Sequence, residues 1–288
     1  MKQIAIIGGG PAGMACAMQL KRYKLEPLIY EKDDTGGLLR NASIIENYPG
    51  FPFGISAEML VINFRNHLIK YEIDVRHQEV IKVELQGNNF LVETAKGQNI
   101  HPLLVIATGT KPKRIREFDT QESVRDKVFY EVYSVRHLND MTAGIVGAGD
   151  AAFDYAVNLS QNNRVYIFNR HSKYRCLPLL YDQVCNCSSI TYLKNNVLST
   201  LEKKNKGLSA KFFYHGEIMD YYLDYIIFAT GREPQMDYLS EEIRNMLDTL
   251  IDKKKIFLIG DVKNDLYRQV SIAVGDGVKV AMEIYYQG

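Results

Sequence analysis

A chain of 288 residues is long enough for one large or two modest domains, and its 46% apolar content suffices for buried cores. A formal net charge of +1 excludes a general attraction to nucleic acid or other polyanions. The absence of an apolar run of about 18 residues excludes a membrane-spanning helix. Four cysteines, Cys16, Cys176, Cys185 and Cys187, make no disulfide framework in a chain this long, and the scattered histidines give no metal-ligand spacing, so no metal site is expected.

The first predicted element is a buried strand, Ile4-Ala5-Ile6-Ile7, which runs into Gly8-Gly9-Gly10-Pro11-Ala12-Gly13 and then a helix. The stretch after Met1-Lys2 superficially resembles a signal peptide. The glycines and Pro11 would break such a helix, and strand, turn and helix account for every residue, so a cytoplasmic protein is expected. In a turn of this kind the first glycine makes the bend, the second lets backbone approach a pyrophosphate, and the third position packs helix on strand. The free N–H groups and the positive helix end then face phosphate. The next strand, Pro27-Leu28-Ile29-Tyr30, ends at Glu31. A carboxylate about 20 residues after the glycines can accept hydrogen bonds from a ribose diol.

Residues 57–71 have helical periodicity, and residues 82–93 alternate as antiparallel strands. The run Leu103-Leu104-Val105-Ile106 closes the first unit at Ala107-Thr108-Gly109. A second fingerprint then follows Gly144-Ile145-Val146, as Gly147-Ala148-Gly149-Asp150-Ala151-Ala152. Its second strand, Val165-Tyr166-Ile167-Phe168, ends at Asn169, with no carboxylate; Arg170, His171, Lys173 and Arg175 come next. A 2′-phosphate needs cations and is repelled by an acid, so this site reads as NADP-selective, the rival being a solvated basic loop. Tyr225-Ile226-Ile227-Phe228 leads into Ala229-Thr230-Gly231, and Ile256-Phe257-Leu258-Ile259 into Gly260-Asp261. The Gly260-Asp261 strand has no fingerprint of its own and should complete the first unit. The second domain is then an insertion in the first, joined by linkers near 111–117 and 234–239. A final helix over 270–285 carries an apolar stripe of Val270, Ala273, Val274, Gly277, Val278 and Ala281.

Two fingerprints imply two bound dinucleotides, and the economical reason to hold two is to pass electrons between them. With Thr35-Gly36-Gly37-Leu38, Glu46-Asn47-Tyr48-Pro49-Gly50, Ala229-Thr230-Gly231-Arg232, Gly260-Asp261-Val262 and Tyr267-Arg268-Gln269, the chain resembles the low-molecular-weight thioredoxin reductase family of FAD/NAD(P) flavoproteins over nearly its whole length. The resemblance implies an α/β fold of two Rossmann-like dinucleotide-binding domains, three-layer ββα. It implies an FAD-binding domain at 1–114 and 237–288 and an NAD(P)-binding domain at 115–236. FAD would use Gly8, Gly10, Pro11, Ala12, Gly13 and Glu31, with Gly37, Leu38 and Asn47 toward its middle and flavin end, and backbone near Val80 on adenine. Ala107, Thr108 and Gly109, with Gly260, Asp261, Arg268, Gln269 and Ala273, would complete that site. NADPH would use Gly147, Gly149, Asp150, Ala151, Ala152 and Gly231, with Arg170 and Arg175 on the 2′-phosphate. The family's usual His-Arg-Arg run is Asn169-Arg170-His171 here.

The departures matter as much. The family's thioredoxin reductases carry Cys-x-x-Cys upstream of the second fingerprint; counting back without gaps, those positions hold Tyr130 and Tyr133, and no cysteine lies between Lys127 and Asn139. A dithiol must be present to pass electrons to a protein disulfide, so ordinary thioredoxin reductase activity is not expected. The stretch 239–255 is shorter than the family's β-hairpin region, and the C-terminal extension of ferredoxin–NADP reductases of this fold is not expected. The first reading is therefore an NADPH-dependent flavoprotein reductase with ferredoxin, flavodoxin or a small molecule as acceptor. Its chemistry is carried by the flavin, with no catalytic side chain, in a homodimer. Lys111, Lys113, Arg114 and Arg116 form a candidate docking patch, or a solvated basic loop. The alternatives are a disulfide reductase using Cys185 and Cys187, or a flavin-binding sensor without turnover. Cys16 is expected in the core and Tyr130 and Tyr133 in ordinary packing; Cys176, beside Arg175, could feel a lowered pKa, with an incidental cysteine as the default reading.

Overall fold

The computed structural model describes residues 3–119 and 121–287. It divides into two compact units, Met1–Arg40, Ile44–Lys111 and Glu233–Gly288 in one, Asn41–Ser43 and Pro112–Arg232 in the other.

The first unit begins with β1 (Ile4–Ile7), buried along its length as a strand flanked on both faces must be. Helix α1 (Pro11–Arg22) follows, with Pro11 in its first turn, where no N–H is needed. After β2 (Pro27–Glu31) comes α2 (Ala57–Lys70), capped by Ser56, whose hydroxyl accepts the Met59 N–H at 3.2 Å. β3 (Asp74–His77), the antiparallel layer β4 (Val80–Gln86), β5 (Asn89–Thr94) and β6 (Gly97–His101), and β7 (Leu104–Ile106) complete this first pass.

The second unit repeats the plan. β8 (Val128–Phe129) precedes β9 (Thr142–Val146), α3 (Asp150–Leu159) and β10 (Arg164–Phe168). Next come α4 (Pro178–Cys185) and β11 (Ile190–Leu193). An antiparallel layer, β12 (Val197–Lys204), β13 (Gly207–Tyr214) and β14 (Glu217–Leu223), leads to β15 (Tyr225–Phe228). The order β8-β15-β9-β10-β11 is parallel throughout.

The chain rejoins the first unit at Glu233, and two short helices, α5 (Glu241–Asn245) and α6 (Leu247–Asp252), follow. β16 (Ile256–Leu258) then pairs with β7, giving the first sheet the order β16-β7-β1-β2-β3. Helix α7 (Val270–Gln287) closes the unit. Its buried residues are Ala273, Gly277, Val280, Ala281 and Ile284. The apolar stripe is thus rotated from the expected one: Val270, Val274 and Val278 are only half-buried, and Val280 and Ile284 take the core. In each unit one core lies between sheet and helices and a second between the parallel and antiparallel strands.

Candidate functional site

In the first unit the end of β1 turns at Gly8 with φ +108°, and a Cβ there would lie 2.3 Å from the Ala107 carbonyl oxygen. A Cβ at Gly13 would meet the Gly8 oxygen at 2.0 Å, whereas at Gly10 the nearest atom is the Gly37 Cα at 3.9 Å. The turn is therefore closed where helix meets strand and open at the second glycine, a cradle that a side chain would fill. Glu31 stands beside it: its carboxylate accepts the Gly9 N–H at 2.7 Å and the Asp33 N–H at 3.0 Å. Gly260 packs on Ala12, a Cβ there coming within 2.9 Å of the Ala12 Cβ and 3.7 Å of the Ala273 Cβ. The Gly260 N–H donates to Asp276, which also accepts from Asn264 at 2.6 Å. Asp276 thus fixes the Gly260-Asp261 turn from α7, a role the sequence does not announce, although Asp276 stands one helical turn after Ala273.

Asn47 donates to the Gln269 side-chain oxygen at 2.9 Å, so two residues far apart in sequence meet before the first turn of α7. Next to them the Arg268 Nε is buried without a hydrogen-bond partner. A buried orphan donor is costly alone and is satisfied by a polar ligand. Thr108 donates to the Gln235 carbonyl at 2.6 Å, and Gly109 accepts from the Gln235 N–H, at the end of β7. Leu38 lies half-buried in the turn Gly37–Asn41. Val80 is buried at the start of β4 opposite Thr94, in the same core as Ile7 and Tyr30.

The second unit builds the same turn. Gly147 has φ +152°, and a Cβ would lie 2.4 Å from the Ala229 oxygen; nothing lies within 4 Å of one at Gly149. Asp150 opens α3 and its carboxylate accepts the Leu177 N–H at 2.8 Å. Ala151 is exposed and Ala152 fully buried. The Arg175 N–H donates to the Ala148 carbonyl at 2.7 Å, sewing the basic loop to the glycine turn. Arg170 lies at the other end of that loop, its Nε donating to the His171 Nε2 at 3.0 Å. Gly231 follows β15 with φ +123° and accepts from the Lys113 N–H. On α3, burial and the negative charge of Asp150 push the Asp154 carboxyl up to about 6.

Between β8 and β9, at 130–133, the chain builds a polar brace. Glu131 accepts from Arg232 at 2.6 Å, from Asn41 at 2.7 Å and from the Tyr155 hydroxyl at 3.3 Å. Asn41 in turn accepts the Tyr133 N–H at 3.0 Å. Tyr130 accepts the Ile115 N–H and packs on Phe228; the Arg136 guanidinium lies 4.0 Å from the Tyr133 ring centre. Nothing in composition marks Glu131, because its partners are 90, 24 and 101 residues away.

Cys176 is buried and its thiol is pushed up to about 11, first by desolvation and then by the Asp150 charge, so it does not have a lowered pKa. Cys185 is the last residue of α4 and is exposed. In the basic stretch, Lys111 is paired with Asp237 and Glu233, and the Arg114 guanidinium lies 5.3 Å from the Tyr130 ring centre, so the segment is not a uniform patch of uncompensated charge. Among the described residues no helix is long and apolar enough to cross a membrane.

Comparison with known proteins agrees with this architecture. The chain is 25% identical to thioredoxin reductase of Borreliella burgdorferi over 299 aligned residues, covering 99% of this chain and 91% of that protein. It is 27% identical to the Schizosaccharomyces pombe thioredoxin reductase, covering 97% and 95%. The crystal structure of Lactococcus lactis thioredoxin reductase has a TM-score of 0.87 at 24% identity, covering 100% of this chain and 98% of that one. Residues 2–277 match the family model described as pyridine nucleotide-disulphide oxidoreductase. FAD and NADPH are the coenzymes of the thioredoxin reductase-like members, and both glycine cradles fit dinucleotides. With two such turns on two parallel sheets, this chain belongs to the pyridine nucleotide-disulphide oxidoreductase family.

Proposed function

We propose that this protein is a reductase that passes electrons from NADPH through FAD directly to an external acceptor, ferredoxin or flavodoxin, and is not a thioredoxin reductase. The observation that carries the reading is the brace at 130–133. Glu131 is bonded to three polar partners in the segment that, counted back without gaps from Gly147, would have to carry two thiols for electron transfer to a protein disulfide, and this supports the reading.

FAD belongs in the first unit, with Glu31 on its ribose, the Gly8–Gly13 turn and Asp261 toward its pyrophosphate, and Asn47, Arg268 and Gln269 at its flavin end. The positive end of α7 offsets negative charge at that end. NADPH belongs in the second unit, on Gly147–Ala152 with Gly231, its 2′-phosphate held by Arg170 and Arg175. Bound FAD supplies hydride acceptance and one-electron release, chemistry that requires no acid–base side chain from the protein. The proposed domain edges are 1–114 with 237–288, and 115–236. A cytoplasmic location and a homodimeric state belong to this reading and rest on the family resemblance.

The test is anaerobic mixing of the FAD-loaded protein with NADPH or NADH while the flavin absorbance is followed, then addition of oxidised ferredoxin, flavodoxin or thioredoxin. Rapid bleaching by NADPH and reoxidation by a one-electron carrier, but not by thioredoxin, is expected. A flavin that stays oxidised with both nucleotides sinks the reductase reading and leaves a flavin-binding sensor.

A further inference from the structure

We propose that Asn169 and Tyr192 are positioning residues for a 2′-phosphorylated adenosine nucleotide. They hold the loop 170–175 in a shape that presents cations and no carboxylate. The inference rests on NADPH binding at that loop and assigns what makes the loop competent.

Asn169 follows β10 at the place where a diol-binding acid stands in the first unit. It is 2% exposed, and all of its polar atoms are engaged. Its Nδ2 donates to the Lys173 carbonyl at 3.0 Å and to the Tyr192 hydroxyl oxygen at 2.8 Å, while Oδ1 accepts the His171 N–H at 2.9 Å. Its backbone N–H donates to Leu193 and its carbonyl accepts from Asn196, both at 2.9 Å. One side chain thereby bonds forward to residues two and four positions along and ties the loop to β11.

Arg170 is held through the same system, because its Nε donates to the ring of His171, whose backbone Asn169 grips. The far end is fixed by the Arg175 N–H on Ala148. Between these anchors the chain reads Arg170-His171-Ser172-Lys173-Tyr174-Arg175, four basic residues and no acid. Tyr192 is itself fixed, its ring edge-to-face on Phe153 with centroids 5.2 Å apart.

The chemistry is exclusive in one direction. A carboxylate at 169 could accept from His171, but it has no donor for the Lys173 carbonyl and would repel it. The amide that shapes this loop and the acid that would bind a free ribose diol therefore cannot both stand at the position. Fixing cations before the ligand arrives lowers the ordering cost of binding, and the gain is confined to the 2′-phosphate. Tyr192 acts only through Asn169.

The experiment is calorimetric titration of the FAD-loaded protein with 2′,5′-ADP and with 5′-AMP, alongside thermal melting. The unaltered protein is expected to prefer 2′,5′-ADP. Tyr192→Phe keeps the ring and removes one acceptor. It should weaken 2′,5′-ADP binding about 3- to 10-fold, the size of one hydrogen bond, with 5′-AMP affinity and melting unchanged. Asn169→Asp should lose more, on the order of 10-fold or beyond, again only for the 2′-phosphorylated ligand. Both variants binding 2′,5′-ADP as the unaltered protein does, or losing both ligands equally, overturns the positioning role. An unaltered protein that does not distinguish the two ligands instead overturns the NADPH reading of the loop, and the inference with it.

Discussion

His101 shows how far one side chain can be from anything its sequence neighbours announce. It is 2% exposed at the end of β6, with its Nδ1 3.2 Å from the Gln3 carbonyl and its Nε2 2.9 Å from the Tyr30 hydroxyl. A carbonyl oxygen only accepts, so Nδ1 carries the proton and Nε2 accepts from Tyr30. A second proton would set N–H against the tyrosine donor in a buried place close to Arg76. Burial, and after it the Arg76 charge, hold the imidazole pKa below 6.5, against the opposing effect of the Gln3 bond. The unfolded chain therefore binds more protons than the folded one once the pH falls through 6.5. The stabilisation from neutral His101 is complete above that value and is lost below it, down to the folded pKa. The urea midpoint should fall as the pH is lowered from about 7.5 to about 5.5, the range over which histidine titrates. His101→Leu should cost about 1–3 kcal/mol at the upper end by removing the acceptor of the Tyr30 O–H, to which Arg76 can only donate, and should flatten the slope. Equal slopes in both proteins would remove His101 as the cause. Neither the histidine nor its tyrosine could have been paired from the sequence, since 71 residues separate them.

At the scale of elements, α7 against α1 shows what periodicity can and cannot decide. Periodicity locates the final helix and its small residues correctly in kind, but selects a neighbouring face. Val270, Val274 and Val278 are as apolar as Val280 and Ile284, so hydropathy alone does not rank two overlapping stripes. The backbone of α1 settles it, because a Cβ on Gly277 would lie 2.3 Å from the Ala12 oxygen and 2.9 Å from the Cys16 nitrogen. The helices meet where only glycine fits, and the buried stripe centres there. Two residues away on the same helix, a Cβ on Gly275 would have no atom within 4 Å. The two glycines should consequently respond with opposite sign. Gly275→Ala should stabilise by about 0.5–1 kcal/mol through helix propensity, and Gly277→Ala should destabilise by about 1–3 kcal/mol through overpacking. Parallel melting curves of the FAD-loaded variants check this, and a common sign for both would refute the packing argument. The strand with Gly260-Asp261 was legible as the piece completing the first sheet, because a buried run with no fingerprint of its own needs a partner. The polar edge strand β3, Asp-Val-Arg-His, carried no such signal.

Taken whole, the two units share one sheet plan built from different pieces of chain. The order β16-β7-β1-β2-β3 corresponds to β8-β15-β9-β10-β11, with the fingerprint strand central in each. The edge strand β16 arrives from the end of the chain in the first unit, whereas β8 precedes the fingerprint in the second. The two glycine turns, and an acid after one second strand against an amide after the other, were legible because each is local in sequence. The Glu131 brace, Asp276 and the Asn169–Tyr192 pair were not, because each depends on partners that only folding brings together. The electron route proposed for the whole molecule has a consequence for its thiols. All four are free: Cys16 is fully buried in α1 with its pKa raised by desolvation, Cys176 is buried, and only Cys185 and Cys187 reach solvent. If electrons leave from flavin to acceptor directly, no thiol is oxidised or reduced in turnover. A protein with Cys16→Ala, Cys176→Ala, Cys185→Ser and Cys187→Ser should then reduce a one-electron carrier with NADPH at the unaltered rate, within about twofold, small surface and core changes being mild when volume is nearly kept. Stopped-flow reduction of the flavin and steady-state reduction of the carrier measure the two halves separately. Flavin reduction preserved with carrier reduction lost would place a cysteine in the route and favour the disulfide-reductase alternative, whereas both preserved leaves the flavin as the last redox centre before the acceptor.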